Sequence, residues 1–488
     1  LWRHAAVIEM NDIVAALQER GLLVHAPVGL PAITGVTADT RKLEKGMLYC
    51  VVRGAVQDGH TYVSKATELG AAAALVETPQ PGSLPQVVVK DGRRAAAVAA
   101  EVWFGYPARK LNLVGVTGTN GKTTSVTLGR HVLSLLWPAG SIGTLGAFAP
   151  DGTRVESEAG NLTTPGPIDL QETLALLVER GARGAAMEVS SHSLDQGRVD
   201  GLAYRAAIFT NLTRDHLDYH KTFEHYFQAK AKLSTYLAPD GIQVVNAEDP
   251  AWQNLPSGHR RITFGETRGD VRAERVKTDE MGSRFTLVSP QGRAEVNLPL
   301  LGAFNVANAL GVAACALGLG APIDGVAERL THAPQVPGRM ERIASRPCVV
   351  LRDYAHTPDA LERALETVRP LTAGKVIAVF GAGGDRDRGK RAPMGDIASR
   401  LADVVIATSD NPRTEDPNRI LDDVEEGMQG RPHHREADRR KAIALALSLA
   451  HDKDPVILAG TGHETYQVIG HEKQPFDERQ VVRELGAS

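Results

Sequence analysis

The chain has 488 residues, and at roughly 150 residues per domain this length predicts about three domains. Its 58 acidic and 55 basic side chains nearly cancel, which argues against a general nucleic-acid binder because such proteins carry a basic excess or stripe. The longest apolar runs, such as 442–449, are far shorter than the roughly 18 apolar residues that a membrane-spanning helix needs. We therefore expect neither a nucleic-acid partner nor membrane insertion.

The three cysteines, Cys50, Cys315 and Cys348, are widely spaced and have apolar neighbours. An odd number does not fit a disulfide framework, and unpaired spacing does not fit a zinc site, so we expect buried free thiols. Residues 1–10 lack the apolar core of a signal peptide, which predicts a cytoplasmic enzyme. Because the chain begins without Met, a few upstream residues are expected to be missing.

Short apolar runs alternate with helical patterns along the chain. The first runs predict a strand at 47–52, a helix at 62–70 and a strand at 73–76. A linker at 105–110 precedes a further strand at 111–116. This alternation predicts an α/β fold with a mainly parallel sheet, whose functional residues lie at the carboxyl ends of the strands.

Two further apolar runs, 184–189 and 206–209, are each followed by polar residues. The pattern breaks near 334–337, where a new α/β series begins. The strands predicted for this last part are 348–351, 376–380, 404–407 and 456–459. The domains predicted from these breaks are 1–110, 111–335 and 336–488.

The segment 113–124, Leu-Val-Gly-Val-Thr-Gly-Thr-Asn-Gly-Lys-Thr-Thr, leads from an apolar strand through a glycine-rich turn into a helix. Its glycines allow backbone amides to close around phosphate oxygens. Lys122 can reach the terminal phosphates, and the Thr123 hydroxyl can ligate Mg²⁺. The general motif would need glycine at 116, where this chain has valine, so the turn is a shortened variant. It predicts ATP or GTP binding rather than an ordinary strand-to-helix turn.

Acidic and histidine side chains follow the next two predicted strands. Glu188 ends one of them, where a carboxylate can face a phosphate-bound Mg²⁺, although an ordinary surface glutamate remains the alternative. The segment 210–220 can ligate metal or stabilise phosphate, unless it is only a solvated loop. Its candidate side chains are Asp215, His216, Asp218 and His220.

Lys230 lies in a helical stretch at 226–233. A lysine on a helix is usually solvated, because its charged end prefers water. Nothing in the local spacing distinguishes this lysine from a surface residue. The local pattern alone therefore predicts an exposed side chain.

Taken together, these segments resemble the Mur ligase family, which joins an amino acid to a nucleotide-linked cell-wall precursor with ATP. The resemblance implies three α/β domains: a UDP-substrate domain, a central phosphate-loop ATPase domain and a Rossmann-like C-terminal domain that binds the amino acid. It spans nearly the whole chain. The motifs that carry it are 118–123, 188–192, 211–220, 301–308, 337–339 and 353–356.

Finer features are similar to those members of the family that add diaminopimelate. The implied reaction joins meso-diaminopimelate to the D-Glu γ-carboxylate of UDP-N-acetylmuramoyl-L-Ala-D-Glu through an acyl phosphate, for peptidoglycan synthesis, cell shape and division. A monomer without nucleic-acid or membrane partners is expected. The segments concerned are 163–165, 190–198, 383–391, 410–413 and 460–464.

The resemblance implies ATP and two Mg²⁺ ions as cofactors. Thr123 and Glu188 would hold the first ion, and His216 the second. The lysine that matches Lys230 is carbamylated in that family, and the resulting anion can orient the second ion, which reverses the expectation of a solvated lysine. Lys122, Lys230 and His216 would be catalytic. The implied ATP contacts are Gly118, Thr119, Asn120, Gly121, Lys122, Thr123, Thr124, Asn305 near the adenine, Arg339, Asp353 and His356.

Substrate contacts are also implied by the resemblance. Two segments would contact the UDP part of the substrate. They are 38–41, which includes Ala38 and Thr40, and 54–58. Thr40 replaces the usual serine, and Ala55 and Val56 replace more polar residues, which leaves the uridine contacts open. The muramoyl-peptide contacts would be Thr163, Thr164, Ser190, Gln196 and Arg198. The amino-acid contacts would be Arg386, Asp410, Asn411, Pro412, Arg413, Gly460 and Glu464.

Arg413 favours diaminopimelate over lysine, because a guanidinium pairs with a distal carboxylate in a bidentate manner and repels a distal amine. A lysine-adding ligase of the same family, a folylpolyglutamate synthase and a phosphate-loop switch or motor protein are the alternatives. The run 376–384 resembles the start of a dinucleotide-binding fingerprint, but Arg386 occupies the position of its third glycine. We therefore expect a glycine-rich turn that serves the amino-acid site.

Overall fold

The computed structural model describes residues 7–54, 57–156 and 162–488. They form two compact units, of which the first holds the described residues up to Arg272 together with Ser289–Gln291 and Asn308–Val326. Among the described residues, no helix is long and apolar enough to cross a membrane. All three cysteines are buried and free, as predicted. The second unit holds Ala273–Val288, Gly292–Ala307 and Ala327–Ser488.

A five-stranded sheet occupies the N-terminal part of the first unit. Its neighbouring strands are parallel, except that Leu23–His25 and Gln86–Val89 pair antiparallel. Helix Gly92–Trp103 begins where the Asp91 carboxylate accepts hydrogen bonds from the Arg93 and Arg94 amides, and it packs apolar residues against the sheet. The strands, in spatial order, are Leu23–His25, Gln86–Val89, Ala73–Val76, Leu48–Cys50 and Val36–Thr37.

The larger sheet of the first unit is parallel at its centre. Strand Asn112–Thr117, which precedes the glycine-rich turn, lies between Gly184–Glu188 and Tyr204–Phe209. The carboxyl ends of all three strands therefore meet at one edge, as the sequence predicted. The strand order in this unit is Arg154–Val155, Gly146–Phe148, Ala139–Gly143, Gly184–Glu188, Asn112–Thr117, Tyr204–Phe209, Leu237–Asn246 and Arg260–Gly265.

Helices cover this sheet and supply part of the site. Helix Phe223–Ala231 begins where the Thr222 hydroxyl accepts a hydrogen bond from the His225 amide. Below it, the Phe209 and Trp252 rings pack with their centroids 5.3 Å apart. The other helices of this part are Lys122–Leu133, Pro167–Glu179, Ser191–Asp195 and Leu217–His220. Helices Met10–Glu19 and Val63–Glu68 pack on the N-terminal five-stranded sheet. Elements that include residues of both units are Val271–Asp279, Gly282–Ser289, Ala303–Gly318 and Ile323–Thr331.

A six-stranded sheet forms the core of the second unit. Its strands are parallel except Glu341–Ala344, and their apolar residues are almost fully buried. The strand order is Glu341–Ala344, Val350–Asp353, Val456–Ala459, Ile377–Phe380, Val404–Ala407 and His434–Arg435. Other elements are strand Gly292–Leu298 and helices Pro358–Val368, Arg391–Leu401, Pro417–Met428, Arg439–Leu449 and Glu478–Glu484.

Candidate active site

The glycine-rich turn at 118–121 is held by the end of the neighbouring strand. The Thr119 amide donates to the Asn211 carbonyl over 2.7 Å, and the Asn120 amide donates to Asn211 Oδ1 over 2.9 Å. The Thr210 hydroxyl donates to the Asn120 carbonyl over 2.7 Å. Asn211 was not predicted as a site residue; its position directly after the neighbouring strand is the signal that could have identified it.

Asn308 also contacts this turn. Gly121 has a φ of 85°, and a Cβ on it would lie 2.2 Å from Asn308 Oδ1, so only glycine fits. Thr123 and Thr124 follow at the start of helix Lys122–Leu133, and both are buried. The turn therefore presents a helix N-terminus, where backbone amides favour an anion.

Two lysines share one carbonyl oxygen beneath this turn. Lys122 Nζ donates to the Gly118 carbonyl over 2.8 Å, and Lys230 Nζ donates to the same oxygen over 2.7 Å. Lys230 is only 1% exposed, and its Nζ lies 4.6 Å from the Tyr226 ring centroid. Burial, and then the Lys122 cation, lower the pKa of Lys230 well below its usual value.

The local prediction that Lys230 is solvated is therefore wrong. Its helix turns this residue towards the glycine-rich turn, 112 positions earlier in the chain. The acceptor is a backbone carbonyl, which no side-chain pattern near Lys230 could reveal. The resemblance, rather than the spacing, pointed to this position.

Glu188 is buried rather than an ordinary surface residue, with 1% of its area exposed. The Thr144 amide donates to Glu188 Oε1 over 2.9 Å, and the Thr144 hydroxyl donates to Oε2 over 3.3 Å. Thr144 was missed in the sequence because no motif surrounds it. A buried carboxylate held by neutral donors is suited to receive a cation.

The predicted muramoyl-peptide contacts lie together. The Thr164 hydroxyl donates to the Glu188 carbonyl over 2.9 Å and accepts from the Ser190 amide over 3.1 Å. Arg198 Nη1 donates to the Thr164 carbonyl over 3.0 Å, and Arg198 Nη2 donates to Gln196 Oε1 over 2.7 Å. The Thr163 and Thr144 hydroxyl oxygens lie 3.2 Å apart. This polar group therefore lies beside Glu188.

Histidine and tyrosine rings pack next to it. The His192 ring centroid lies 4.9 Å from that of His216, 5.4 Å from that of His220 and 4.2 Å from that of Tyr219. Burial, reinforced by the neighbouring histidines, lowers the pKa of His192 to about 4, so this ring is neutral at pH 7. His216 has a φ of 52°, a left-handed conformation that is uncommon outside glycine.

Two of the donors predicted for magnesium fit that ion in chemistry. Mg²⁺ prefers oxygen ligands, which the Thr123 hydroxyl and the Glu188 carboxylate offer, whereas the His216 imidazole offers nitrogen. Within the part of the chain that is described, no group of three or more His, Cys, Asp and Glu side chains is arranged to hold a metal by itself. A magnesium ion bound with a nucleotide takes most of its ligands from phosphates and water, so one or two protein oxygens suffice.

In the second unit, three loops meet at the carboxyl ends of neighbouring strands. They are 381–384, 410–413 and 460–464, which follow Ile377–Phe380, Val404–Ala407 and Val456–Ala459. The Gly384 amide donates to the Asn411 carbonyl over 2.9 Å, and a Cβ on Gly384 would lie 1.9 Å from the Pro412 carbonyl oxygen. The first loop thus packs on the predicted amino-acid loop, as the sequence suggested.

Asn411 connects the charged groups of these loops. Its Nδ2 donates to Glu464 Oε2 over 3.0 Å, and Arg413 Nη1 donates to the Asn411 carbonyl over 3.4 Å and to the Gly384 carbonyl over 2.7 Å. Asp410 is 5% exposed, and Gly460 lies against its carboxylate. Burial raises the pKa of Asp410 to about 6, with Arg439 opposing this rise and Glu464 adding to it. Arg386 is exposed.

Four predicted ATP contacts also lie in the second unit. Asp353 Oδ2 accepts from the Met340 amide over 2.7 Å, and burial raises the pKa of Asp353 to about 6 although Arg339 lowers it. His356 Nδ1 lies 2.8 Å from the Tyr354 carbonyl oxygen, and burial lowers the pKa of His356. The carboxamide of Asn305 is buried and donates to the Leu301 carbonyl over 2.8 Å.

The predicted uridine segment is only partly described. Ala38 is exposed and Thr40 half-buried. The adjacent residues Asp39 and Arg41 form an exposed ion pair, with 2.6 Å between Arg41 Nη2 and Asp39 Oδ2. Ala55 and Val56 lie outside the described residues. Elsewhere in the predicted segment 54–58, the Gly54 amide donates to the Gln57 carbonyl over 2.8 Å, and Asp58 Oδ1 accepts from the His60 amide over 3.0 Å.

Sequence profiles of three domain families match the chain. The "Mur ligase family, catalytic domain" covers 32–102, the "Mur ligase middle domain" 116–316 and the "Mur ligase, glutamate ligase domain" 338–462. A curated relative from Bacillus licheniformis is 42% identical, over 93% of this chain and 94% of its own length. This chain belongs to the Mur ligase family. The sequence expectation of that family is therefore confirmed.

The relatives of this Mur ligase family member have specific names. That protein and one from Gloeobacter violaceus, 43% identical over 93% of both chains, are each named UDP-N-acetylmuramoyl-L-alanyl-D-glutamate--2,6-diaminopimelate ligase. A solved structure with the same name has a TM-score of 0.69 and 33% identity, and the match covers 98% of this chain and 99% of that one. The predicted α/β fold with its mainly parallel central sheet is likewise confirmed.

Proposed function

We propose that this Mur ligase family member adds 2,6-diaminopimelate to UDP-N-acetylmuramoyl-L-alanyl-D-glutamate while ATP is converted to ADP and phosphate. The names of its relatives support this assignment. The observation that carries it is the cluster around Asn411, which joins the Arg413 guanidinium to the Glu464 carboxylate, with Asp410 beside it. Acidic groups suit the ammonium of an amino acid, and a guanidinium suits an additional carboxylate.

Each predicted domain then has one substrate. Residues 1–110 would bind the UDP part, 111–335 would bind ATP, and 336–488 would bind the amino acid. The three domain families match within these ranges, which supports the division. Thr123, Glu188, His216 and a carbamylated Lys230 would hold magnesium. Mg²⁺ bound there would withdraw charge from the phosphate oxygens.

In the first step, a γ-carboxylate oxygen of D-Glu attacks the γ-phosphorus of ATP, and the bond to the bridging oxygen breaks to release ADP. Both reactants are anions, so cations must offset their repulsion. Lys122, at the start of its helix, supplies one such charge, and the backbone amides at the N-terminus of that helix supply hydrogen bonds. The product is an acyl phosphate.

In the second step, the neutral amine of diaminopimelate attacks the acyl carbon. The resulting tetrahedral intermediate loses a proton from nitrogen and expels phosphate, which leaves the amide. Asp410 and Glu464 would hold an ammonium group of the substrate, while Arg413 would hold the distal carboxylate. These contacts place the attacking nitrogen in a fixed orientation, which lowers the entropic part of the barrier.

The direct test follows phosphate release by the purified chain with ATP, Mg²⁺ and UDP-N-acetylmuramoyl-L-alanyl-D-glutamate, with meso-diaminopimelate or L-lysine added in parallel. Release that needs both the precursor and diaminopimelate is the expected result. Release with lysine instead would overturn the assignment to diaminopimelate but keep the family. Phosphate formed without either acceptor would indicate a simple ATPase.

Arg413→Ala is expected to lower kcat/KM for diaminopimelate by about 100-fold, because a charge-assisted pair with a carboxylate contributes roughly 2–3 kcal/mol. Arg413→Lys keeps the charge but not the planar fork, so a smaller loss is expected. Arg419→Ala, at an exposed position on helix Pro417–Met428, is the matched control. An Arg413→Ala variant with unchanged kcat/KM would remove this residue from the site.

Diaminopimelate binding is expected to weaken below about pH 6, because the pKa of Asp410 is raised to about 6. The carboxylate is present above that pH and is protonated as the pH falls through it, so the dissociation constant should rise about tenfold per unit below it. Glu464 and Glu478 raise this pKa, and Arg439 and Lys390 lower it. Calorimetric titration of diaminopimelate between pH 5 and 8 measures the effect.

Asp410→Asn supplies the control for this titration. The amide cannot ionise, so binding should be weak at every pH and the slope below pH 6 should disappear. An Asp410→Asn variant that retains the wild-type slope would assign the titration to another group.

A further inference from the structure

A short hairpin follows the last predicted amino-acid contact. Strands Tyr466–Ile469 and Glu472–Pro475 pair antiparallel through a two-residue turn at Gly470 and His471. Gly470 has a φ of 62°, which suits the first position of a type II′ turn. The strand Glu472–Pro475 is exposed along its whole length, and the reaction derived above assigns no role to the hairpin.

The inner strand of this hairpin binds the amino-acid loop residue by residue. Gln467 Nε2 donates to the Asp410 carbonyl over 2.7 Å, and the Val468 amide donates to Asn411 Oδ1 over 2.7 Å. The Arg413 amide donates to the Val468 carbonyl over 2.9 Å. The Arg413 carbonyl in turn accepts from the Gly470 amide over 2.7 Å. The loop and the strand thus form a continuous set of hydrogen bonds.

The backbone of Arg413 shows why these bonds matter. Its φ of 53° lies in the left-handed region, which residues other than glycine rarely adopt. A conformation of this kind persists only where its surroundings hold it in place. Here the amide and the carbonyl of Arg413 are both bonded to the hairpin, while its guanidinium bonds to the Gly384 carbonyl. The hairpin therefore fixes the backbone position from which the Arg413 side chain extends.

The carboxamide of Asn411 is oriented by the same strand. Its Oδ1 accepts from the Val468 amide, which leaves Nδ2 directed to Glu464 Oε2. One strand thus fixes both the loop that carries Arg413 and the amide that holds Glu464. These are the groups that would receive the two charged ends of a diamino diacid.

We propose that the inner strand Tyr466–Ile469, together with Gly470, is a positioning element that sets the preference of the amino-acid site for a substrate with a distal carboxylate. This inference rests on the proposed function. A hairpin that only covered the protein edge would not need bonds to three of the four loop positions 410–413, namely Asp410, Asn411 and Arg413. Gln467 and Val468 act through Asp410, Asn411 and Arg413 rather than by touching the substrate.

Gln467→Ala tests the proposal, with Gln474→Ala as its control, because the two residues are direct partners across the hairpin and Gln474 lies on the exposed strand. Gln467→Ala should raise KM for diaminopimelate by roughly 3- to 10-fold, with kcat and KM for ATP unchanged. The ratio of kcat/KM for diaminopimelate to that for L-lysine should fall by a similar factor. Gln474→Ala should match the wild type.

Val468→Pro is the second variant, since proline removes the amide donated to Asn411. Lys473→Pro changes the partner residue directly opposite, on the exposed strand. Only Val468→Pro should lower the ratio of kcat/KM for diaminopimelate to that for L-lysine, by about tenfold. If Gln467→Ala and Val468→Pro lower kcat/KM for diaminopimelate and kcat/KM for L-lysine by the same factor, the hairpin is only a structural support and the proposal is overturned.

The wild type measured in the same assay separates this proposal from the proposed function. If the wild type requires another amino acid, the assignment to diaminopimelate fails. The hairpin is then judged on KM for that amino acid. Equal KM values in Gln467→Ala and Gln474→Ala would overturn its positioning role as well.

Discussion

Lys230→Ala is expected to lower kcat by about 10³-fold. Among the variants considered, only Lys122→Met is expected to lose as much activity. Lys230 is buried under the glycine-rich turn, and its pKa lies well below the usual value for lysine. A neutral amine can add carbon dioxide to form a carbamate, whereas an ammonium cannot. The proposed carbamate would place a negative charge close to the nucleotide site, where it can orient magnesium.

Three measurements distinguish this role from simple loss of packing. Lys230→Arg keeps a cation but cannot form the carbamate, so it should be as inactive as Lys230→Ala. Lys232→Ala, at a half-exposed lysine two positions later, should retain wild-type kcat. Carbon-13 NMR in labelled bicarbonate should show a carbamate signal in the wild type and none in Lys230→Ala. Full activity of Lys230→Arg would contradict the carbamate.

Lys122→Met is expected to lower kcat by a similar factor of about 10³, because it removes the cation that offsets repulsion between the attacking carboxylate and the triphosphate. Methionine fills most of the same volume, so the helix should still form. ATP binding, measured by calorimetry, should weaken less than kcat falls, because the charge acts mainly on the transition state. Equal losses in affinity and kcat would contradict that view.

The same variant has a second expected effect. The Lys122 cation lowers the pKa of Lys230, so its removal should raise that pKa and reduce the fraction of neutral amine at a given pH. The carbamate signal of Lys122→Met should therefore appear only at higher pH than in the wild type. An unchanged pH dependence would show that burial alone sets the pKa of Lys230.

Local patterns were sufficient for much of the fold and for the nucleotide loop. The strands Ala73–Val76, Val404–Ala407 and Val456–Ala459 have the predicted bounds, because short buried strands are continuous apolar runs between polar residues. The loop after Asn112–Thr117 was recognisable because its glycines, lysine and threonine are adjacent in the chain. Its position at one edge with Glu188 followed from the general behaviour of parallel sheets.

The partners of the site residues could not be predicted in this way. Thr144 and Glu188 are 44 positions apart and Asn120 and Asn211 are 91 apart, yet each pair is joined by a hydrogen bond. No periodicity connects such positions, because the contact depends on which strands become neighbours. The residues predicted to contact the muramoyl peptide form one polar group for the same reason.

The sequence by itself determined the α/β class, the nucleotide loop and the family, because these depend on adjacent residues and on short apolar runs. Only the tertiary structure decided that Lys230 is buried on the Gly118 carbonyl, and that Gln467 and Val468 hold the loop carrying Arg413. The physical reason is that burial and hydrogen bonding depend on distance in space. Residues far apart in the chain acquire these properties only when the sheets and loops have assembled.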